Sequence, residues 1–291
     1  YQAITEYSEE VIEDHNVSTR AVTKLVGASR SGYRSWKSRK PSKQAIRKEE
    51  LKKDIKRTYE SSHKIYGAPK ITKELNKSGI NISERTVGKY MREMNIKAHY
   101  IKPSTKTTIS VDFTTNLKNI LKRNFSPERP DAAWCTDITY IWTIADGFVY
   151  LTSIMDLYSR KIVAWVLTND MTAESVLKVI KIAKERRNIT NPLIIHSDRG
   201  IQFTSTLYAE ITEKMERSYS RKACPWDNAC IESFHALIKR EWLNRRRIWD
   251  YSEAYNLIFE YIETFYNTVR IHSHCNYESP NNYEKDYYKS S

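Results

Sequence analysis

Between residues 132 and 168, three β-rich runs follow one another with almost nothing between them. They read AAWCTDITYIW (132–142), FVYLTSIMDLYS (148–159) and KIVAWVLT (161–168). β-Branched and aromatic residues dominate each run, and the breaks are a turn at ADG and a tight corner. Connections this short predict consecutive antiparallel strands joined by hairpins. Next, AESVLKVIKIAKERR (173–187) places Val176, Val179, Ile180 and Ala183 on one face of a helix. PLIIHSD (192–198) is nearly all apolar, as expected of a strand covered on both faces. A helix at 205–215, a short strand at 217–220 and two long helices at 229–247 and 251–269 complete the pattern. Hairpin strands followed by alternating helix and strand predict an α/β fold, a mixed sheet flanked by helices.

The chain before this region has a different character. Residues 1–126 carry 27 Lys and Arg against 13 Asp and Glu, whereas residues 127–291 carry 21 against 22. A surplus confined to one segment points to a polyanionic partner rather than to a generally solvated surface. Two stretches, 18–39 and 66–96, each read as helix, short turn and basic second helix. That is a helix-turn-helix signal, and Ser83 is the expected N-cap of the last of these helices. Candidate DNA contacts are Arg34 and Lys37 on the first basic helix, and Arg85, Lys89 and Arg92 on the second. Residues 37–50 read as a charged hinge and 102–110 as a polar linker. The expected organisation is a helical DNA-binding region over 1–101, a linker over 102–126 and a core over 127–291. No apolar run approaches the ~18 residues of a membrane span, so no membrane partner is expected. The expected location is the bacterial cytoplasm, on the nucleoid. Cys135, Cys224, Cys230 and Cys275 lack the spacing of a zinc site and read as free thiols.

Three carboxylates stand where a folded core resists them. Asp137 lies in the middle of a strand, Asp198 at the carboxyl end of the doubly covered strand, and Glu232 in the first turn of a helix. Asp is depleted in strands, and a buried charge is costly unless paired or bound to a metal. Asp227 or Asn228 is the expected cap of that helix, whose positive end favours an ionised Glu232. Three hard oxygen donors suit Mg²⁺ or Mn²⁺, and two such ions together serve phosphoryl chemistry. His235 and Lys239 follow Glu232 on nearly the same helical face.

WCTDITYI, LTSIMDLYSRKIVAW, IIHSDRGIQFTS, SRKACPWDNACIESFHALIKRE and FYNTVRIHSHCNYESP resemble the blocks of retroviral-integrase-like insertion-sequence transposases. They are most similar to the larger open reading frame product of the copy-out group. The stretch 66–96 resembles the helix-turn-helix block that precedes the catalytic core there. The resemblance implies an RNase H-like core with a DDE triad at Asp137, Asp198 and Glu232, which would be both catalytic and metal-binding. It implies double-stranded DNA as partner, both element ends and target, and a homo-oligomer on that DNA. Lys239 would meet DNA near the element end; His235 would bond a phosphate, orient Glu232 or simply pack on the sheet. The interval from Asp198 to Glu232 holds 33 residues, slightly shorter than is usual in that group. An RNase H-like nuclease and a DNA-binding repressor with an inactive core are the competing readings.

Overall fold

The computed structural model describes residues 19–99, 117–222 and 224–290. The chain forms two compact units, residues 1–57 and 58–291. In the first, α1 (Thr19–Leu25) and α2 (Arg30–Lys37) are joined by a turn with Gly27 at φ +63°. Ser29 caps α2 by accepting from the Gly32 amide at 3.2 Å. Val22 and Tyr33 are buried together, with Ala28 and Trp36 packed against them. The expected hinge at 37–50 is corrected by a 19-residue helix, α3 (Lys43–Ser61), which runs across the boundary between the units. Lys, Glu, Gln, Arg and Ala are strong helix formers, and Lys52–Glu49 and Arg57–Asp54 pair three residues apart. Charge density hid a helix that the residue types favour.

The second unit begins with another helix pair, α4 (Ala68–Lys77) and α5 (Glu84–Glu93). Gly79, at φ +83°, turns the chain between them. Ser83 caps α5 as expected, accepting from the Thr86 amide at 3.3 Å. The sheet comes next in the chain, in the order β3-β2-β1-β4-β5. Strands β1 (Ala133–Thr143), β2 (Gly147–Asp156) and β3 (Ile162–Thr168) form an antiparallel meander. β4 (Ile194–Ser197) then adds in parallel to β1, and β5 (Glu216–Tyr219) in parallel to β4.

One core lies under α6 (Ala173–Arg186). There Val176, Val179, Ile180 and Ala183 meet Trp134, Ile154, Val166 and Ile195 of the sheet. Fully burying each large side chain contributes roughly 1.5–3 kcal/mol. α7 (Thr206–Ile211) and α8 (Ala229–Glu241) come next, and α8 lies over β1 and β2. α9 (Tyr251–Phe259) continues as π-helical turns through Tyr266. A last helix, α10 (Pro280–Ser290), was not expected; its sequence, PNNYEKDYYKS, hides an apolar face among tyrosines. Among the described residues, no helix is long and apolar enough to cross a membrane.

Residues 100–116, most of the expected linker, lie outside the described residues. The stretch 117–124 is firmly attached to the sheet. The amides of Ile120 and Leu121 both donate to Ser218 Oγ at 2.9 Å, and the Tyr219 amide donates to Lys118 O. These residues thus edge β5 rather than spanning a gap.

A buried ion pair secures the far end of α8. Arg270 donates through Nε and Nη2 to Glu241, at 2.7 and 2.6 Å, and Tyr261 Oη donates to the same carboxylate. Burial alone raises Glu241, but the Arg270 charge and these hydrogen bonds bring it below its ordinary value. Tyr66, just before α4, accepts from the Ile271 amide at 2.9 Å, which ties the second helix pair to this region. Arg270→Met leaves a buried, unpaired carboxylate. It is expected to cost about 3–5 kcal/mol in urea unfolding, and Arg270→Met with Glu241→Gln should recover part of that. Because Glu241 is depressed in the folded state, the pair's contribution is complete above the ordinary glutamate range. It is lost as pH falls through the folded value, so the acid decline of stability should be shallower in Arg270→Met than in the wild type.

Candidate active site

The sheet register brings two of the three carboxylates together. Cys135 of β1 is the parallel partner of His196 of β4, and it is the last such pair before the strands part. Two residues further along each strand, on the same face, stand Asp137 and Asp198. Asp198 is the first residue past β4, at the carboxyl end where open α/β sheets place their sites. Its Oδ1 accepts from the Gly200 amide at 2.9 Å. A Cβ on Gly200 would lie 3.1 Å from that oxygen and 3.0 Å from Gln202 Oε1, so a side chain here would press on both. Beside them His196 is fully buried between Ser218 and Ser220 and is held near pKa 4 by burial; it is a neutral strut between β4 and β5.

α8 supplies the third carboxylate. Ile231, Phe234 and Ile238 are buried in its underside, which leaves Glu232 on the open side. The expected cap is corrected, because neither Asp227 nor Asn228 caps the helix with its side chain. Asp227 instead accepts from Arg123 Nε (2.7 Å), Arg221 Nε (3.0 Å), the Arg221 amide and Asn119. The Arg221 hydrogen bond leads the forces holding it far below the usual carboxylate range. Asn228 donates to Thr136 O, one residue before Asp137, which stitches the start of α8 to β1.

Burial and the charge of Asp137 act on both of the other acids. Partial burial, joined by the Asp137 charge, lifts Asp198 to about 6. Burial and then the charges of Asp137 and Asp198 lift Glu232 to about 7. Among the described residues no group of three His, Cys, Asp or Glu stands arranged to hold a metal ion, although the three acids are the hard oxygen donors a divalent cation takes. Asp198 and Glu232 are both raised by burial and then by the Asp137 charge, a repulsion that a cation relieves, and Mg²⁺ keeps several waters rather than demanding a full protein cage.

His235 and Lys239 are also here, and of the roles expected for His235 it is packing against the sheet that the structure supports. His235 is only 5% exposed, so it is not a phosphate contact. Its Nε2 lies 2.7 Å from Ser153 Oγ and its Nδ1 3.4 Å from Asp137 Oδ2. Ser153 is the cross-strand partner of Asp137, so one imidazole spans the pair. The histidine addresses Asp137, not Glu232. Lys239 Nζ sits 4.5 Å from the centre of the Tyr140 ring. Burial lowers its pKa while the Asp137 charge raises it. Ser153 and Gly200 escaped the sequence reading, and Asp227, expected as a helix cap, is instead the centre of an ion-pair cluster. Only Ser153 had a signal: folding the hairpin about ADG sets it opposite Asp137.

The candidate DNA contacts are apart from this cleft or on another unit. Arg85, Lys89 and Arg92 lie exposed along one side of α5, and Arg34 and Lys37 lie exposed on α2. The four cysteines are free thiols.

Comparison with known proteins gives three family matches: an integrase core domain over residues 127–223, a second integrase core domain over 213–280 and an HTH-like domain over 47–103. The transposase for insertion sequence element IS904 of Lactococcus lactis subsp. lactis (strain IL1403) is 36% identical over 249 residues. That alignment takes in 85% of this chain and 98% of the relative. The transposase InsF for insertion sequence IS3A of Escherichia coli (strain K12) is 30% identical over 280 residues, 94% of this chain and 96% of the relative. Among solved structures, the HTLV-2 integrase catalytic core domain in complex with magnesium (trimeric form) aligns with a TM-score of 0.41 and 15% identity. It covers 54% of this chain and 98% of its own.

If the carboxylates share a cleft, removing one charge must relax the others. Asp137→Asn should lower the titration midpoints of both Asp198 and Glu232 toward ordinary values, read by NMR at the carboxyl carbons. Unmoved midpoints would separate Asp137 from the site.

Proposed function

The chain belongs to the insertion-sequence transposases with an RNase H-like integrase core, and we propose that Asp137, Asp198 and Glu232 are the catalytic centre of its DNA cleavage and joining. What supports this is the placement of the three acids by strands β1 and β4 and helix α8, with Asp198 and Glu232 raised by burial and then by the Asp137 charge. The three acids would hold Mg²⁺ or Mn²⁺, two ions in the full site. A cation bound there supplies Lewis acidity, stabilising charge on the attacking and leaving oxygens of a phosphodiester.

The protein's own part is positioning and electrostatics. Ser153 and His235 hold Asp137 in its rotamer, and Gly200 lets Asp198 turn inward. The Asp227 cluster and Asn228 set where Glu232 enters the cleft. Lys239 stands beside Asp137 and Tyr140, placed to neutralise a phosphate of the element end. Cleavage by water frees a 3′ hydroxyl, which then attacks the target strand; no side chain becomes covalently attached to DNA. The helical region over 1–101 recognises the double-stranded ends, with Arg34, Lys37, Arg85, Lys89 and Arg92 as contacts. Joining two ends to one target calls for a homo-oligomer on the DNA.

Asp137→Asn, Asp198→Asn and Glu232→Gln should each abolish cleavage and strand transfer of a labelled element end into plasmid, with melting temperature not reduced. A variant retaining near-normal activity with Mg²⁺ removes that residue from the centre and favours a plain structural carboxylate. The surface role of α5 is tested separately. Replacing Arg85, Lys89 and Arg92 with Ala in the full chain should weaken end binding. It should also reduce the slope of log affinity against log salt by about 1 for each phosphate no longer neutralised. A slope equal to wild type places the DNA elsewhere.

A further inference from the structure

Behind the proposed catalytic aspartates, on the opposite face of the sheet, hydroxyl groups are buried. Thr136 and Ser197 follow Cys135 and His196, the last paired residues of β1 and β4, and each directly precedes an aspartate. Strand alternation turns them to the face that carries Trp134 and Ile195, the face under α6. Tyr208 of α7 belongs to the same cluster and is 1% exposed. Its main chain is fixed on both sides, the amide donating to Ser205 Oγ at 3.2 Å and the carbonyl accepting from Thr212 Oγ1. Its ring meets Phe203 edge-on, with centres 5.7 Å apart.

The Tyr208 phenol lacks what its neighbour has. Among the described residues, Tyr208 Oη and Thr136 Oγ1 are shut from solvent and make no hydrogen bond. Tyr219, on β5, instead donates to Phe203 O at 3.2 Å. Phenylalanine would fill the Tyr208 position as well, and burying an unpaired O–H costs stability that phenylalanine would not. Burial raises the Tyr208 hydroxyl above the ordinary tyrosine value, so at neutral pH it is a donor. The Ser197 hydroxyl acts against that rise and the Asp198 charge adds to it, so both lie within its electrostatic reach. Ser197 Oγ itself donates to Asp198 O at 3.0 Å, which leaves its lone pairs free to accept.

We infer that Tyr208 is a positioning residue for Asp198: its hydroxyl donates to Ser197 Oγ, which holds the Asp198 carbonyl while the Asp198 side chain takes the Gly200 amide. The inference rests on the transposase reading and extends it to a residue behind the site. Asp198 needs such a brace. It stands one residue past β4, and the pairing of β4 with β1 has already ended at His196. Ladder hydrogen bonds to β1 therefore do not fix its main chain. A run of O–H groups in a dry interior strengthens each bond along it, and groups that orient a carboxylate ligand from behind set how well it holds a cation. A tyrosine that only fills the core needs its ring and not its hydroxyl, which separates the two roles.

The test is native-state hydrogen exchange on the full chain without divalent metal, comparing wild type, Tyr208→Phe, Ser197→Ala and the double variant. The Gly200 amide, which bonds Asp198 Oδ1, should exchange about tenfold faster in each single variant, and amides of α6 should not change. Because the two hydroxyls act in series, the double variant should exchange no faster than either single one. With Mg²⁺ added, the concentration giving half-maximal cleavage of a labelled element end should rise about tenfold in Tyr208→Phe, at unchanged affinity for that end. Thr136→Val removes a buried hydroxyl of the same kind from β1 and should leave Gly200 exchange as it is. Wild-type exchange at Gly200 in Tyr208→Phe, with a raised melting temperature, overturns the inference and makes the hydroxyl an unpaired atom of the core. Effects of the single variants that add in the double variant overturn it too, as does faster exchange spread evenly over α6 and Gly200 in both. A wild type that cuts no ends defeats the transposase reading instead, and the exchange comparison still stands.

Discussion

Carboxylates that repel one another stay together only if other forces hold them, and this requirement organises the second unit. Asp137, Asp198 and Glu232 each raise or feel the charge of the others. Backbone hydrogen bonds between β1 and β4 fix the first two side by side. Burial of Ile231, Phe234 and Ile238 presses α8 onto the meander and presents the third. Each of these gains is non-polar or backbone in origin, so the repulsion is opposed by parts of the molecule that do not titrate near neutrality.

Charged clamps then close both ends of α8. At its start Asp227 is gripped by Arg221, Arg123 and Asn119; at its end Glu241 is gripped by Arg270 and Tyr261. The two clamps differ in kind. Arg123 and Arg221 are 43% and 59% exposed, while the Asp227 carboxylate they hold is fully buried. Arg270 and Glu241 are withdrawn from water, and neither tolerates the loss of the other. Between them His235 ties the middle of the helix to β1 and β2.

Much of this was legible beforehand because the signals were local. Alternation and turn residues marked the meander; a doubly apolar run marked β4; capping chemistry marked α5 at Ser83. The three acids stood out because their positions contradicted their residue type. Features that stayed hidden depended on partners far away in sequence, or on signals other than an apolar stripe. Residues 37–50 looked like a hinge because the helix Lys43–Ser61 that takes up most of them draws its stability from propensity and short-range ion pairs. Residues 117–124 looked like linker because their hydrogen bonds are to Ser218, Tyr219 and Asp227. His235 showed one face of a helix, but nothing in its neighbours named Ser153 as the group it would meet.

The parallel pairing of β1 with β4 also sets an order of events in folding. The meander β1-β2-β3 closes through short turns and can form early. β4 reaches β1 only after the chain has crossed over through α6, and Glu232 arrives later still, from beyond β5. Such long closures are slow, because chain entropy is lost before the distant contact is gained. A chain emerging from synthesis therefore carries Asp137 long before the three proposed catalytic carboxylates can meet, and their meeting is among the last events of its folding.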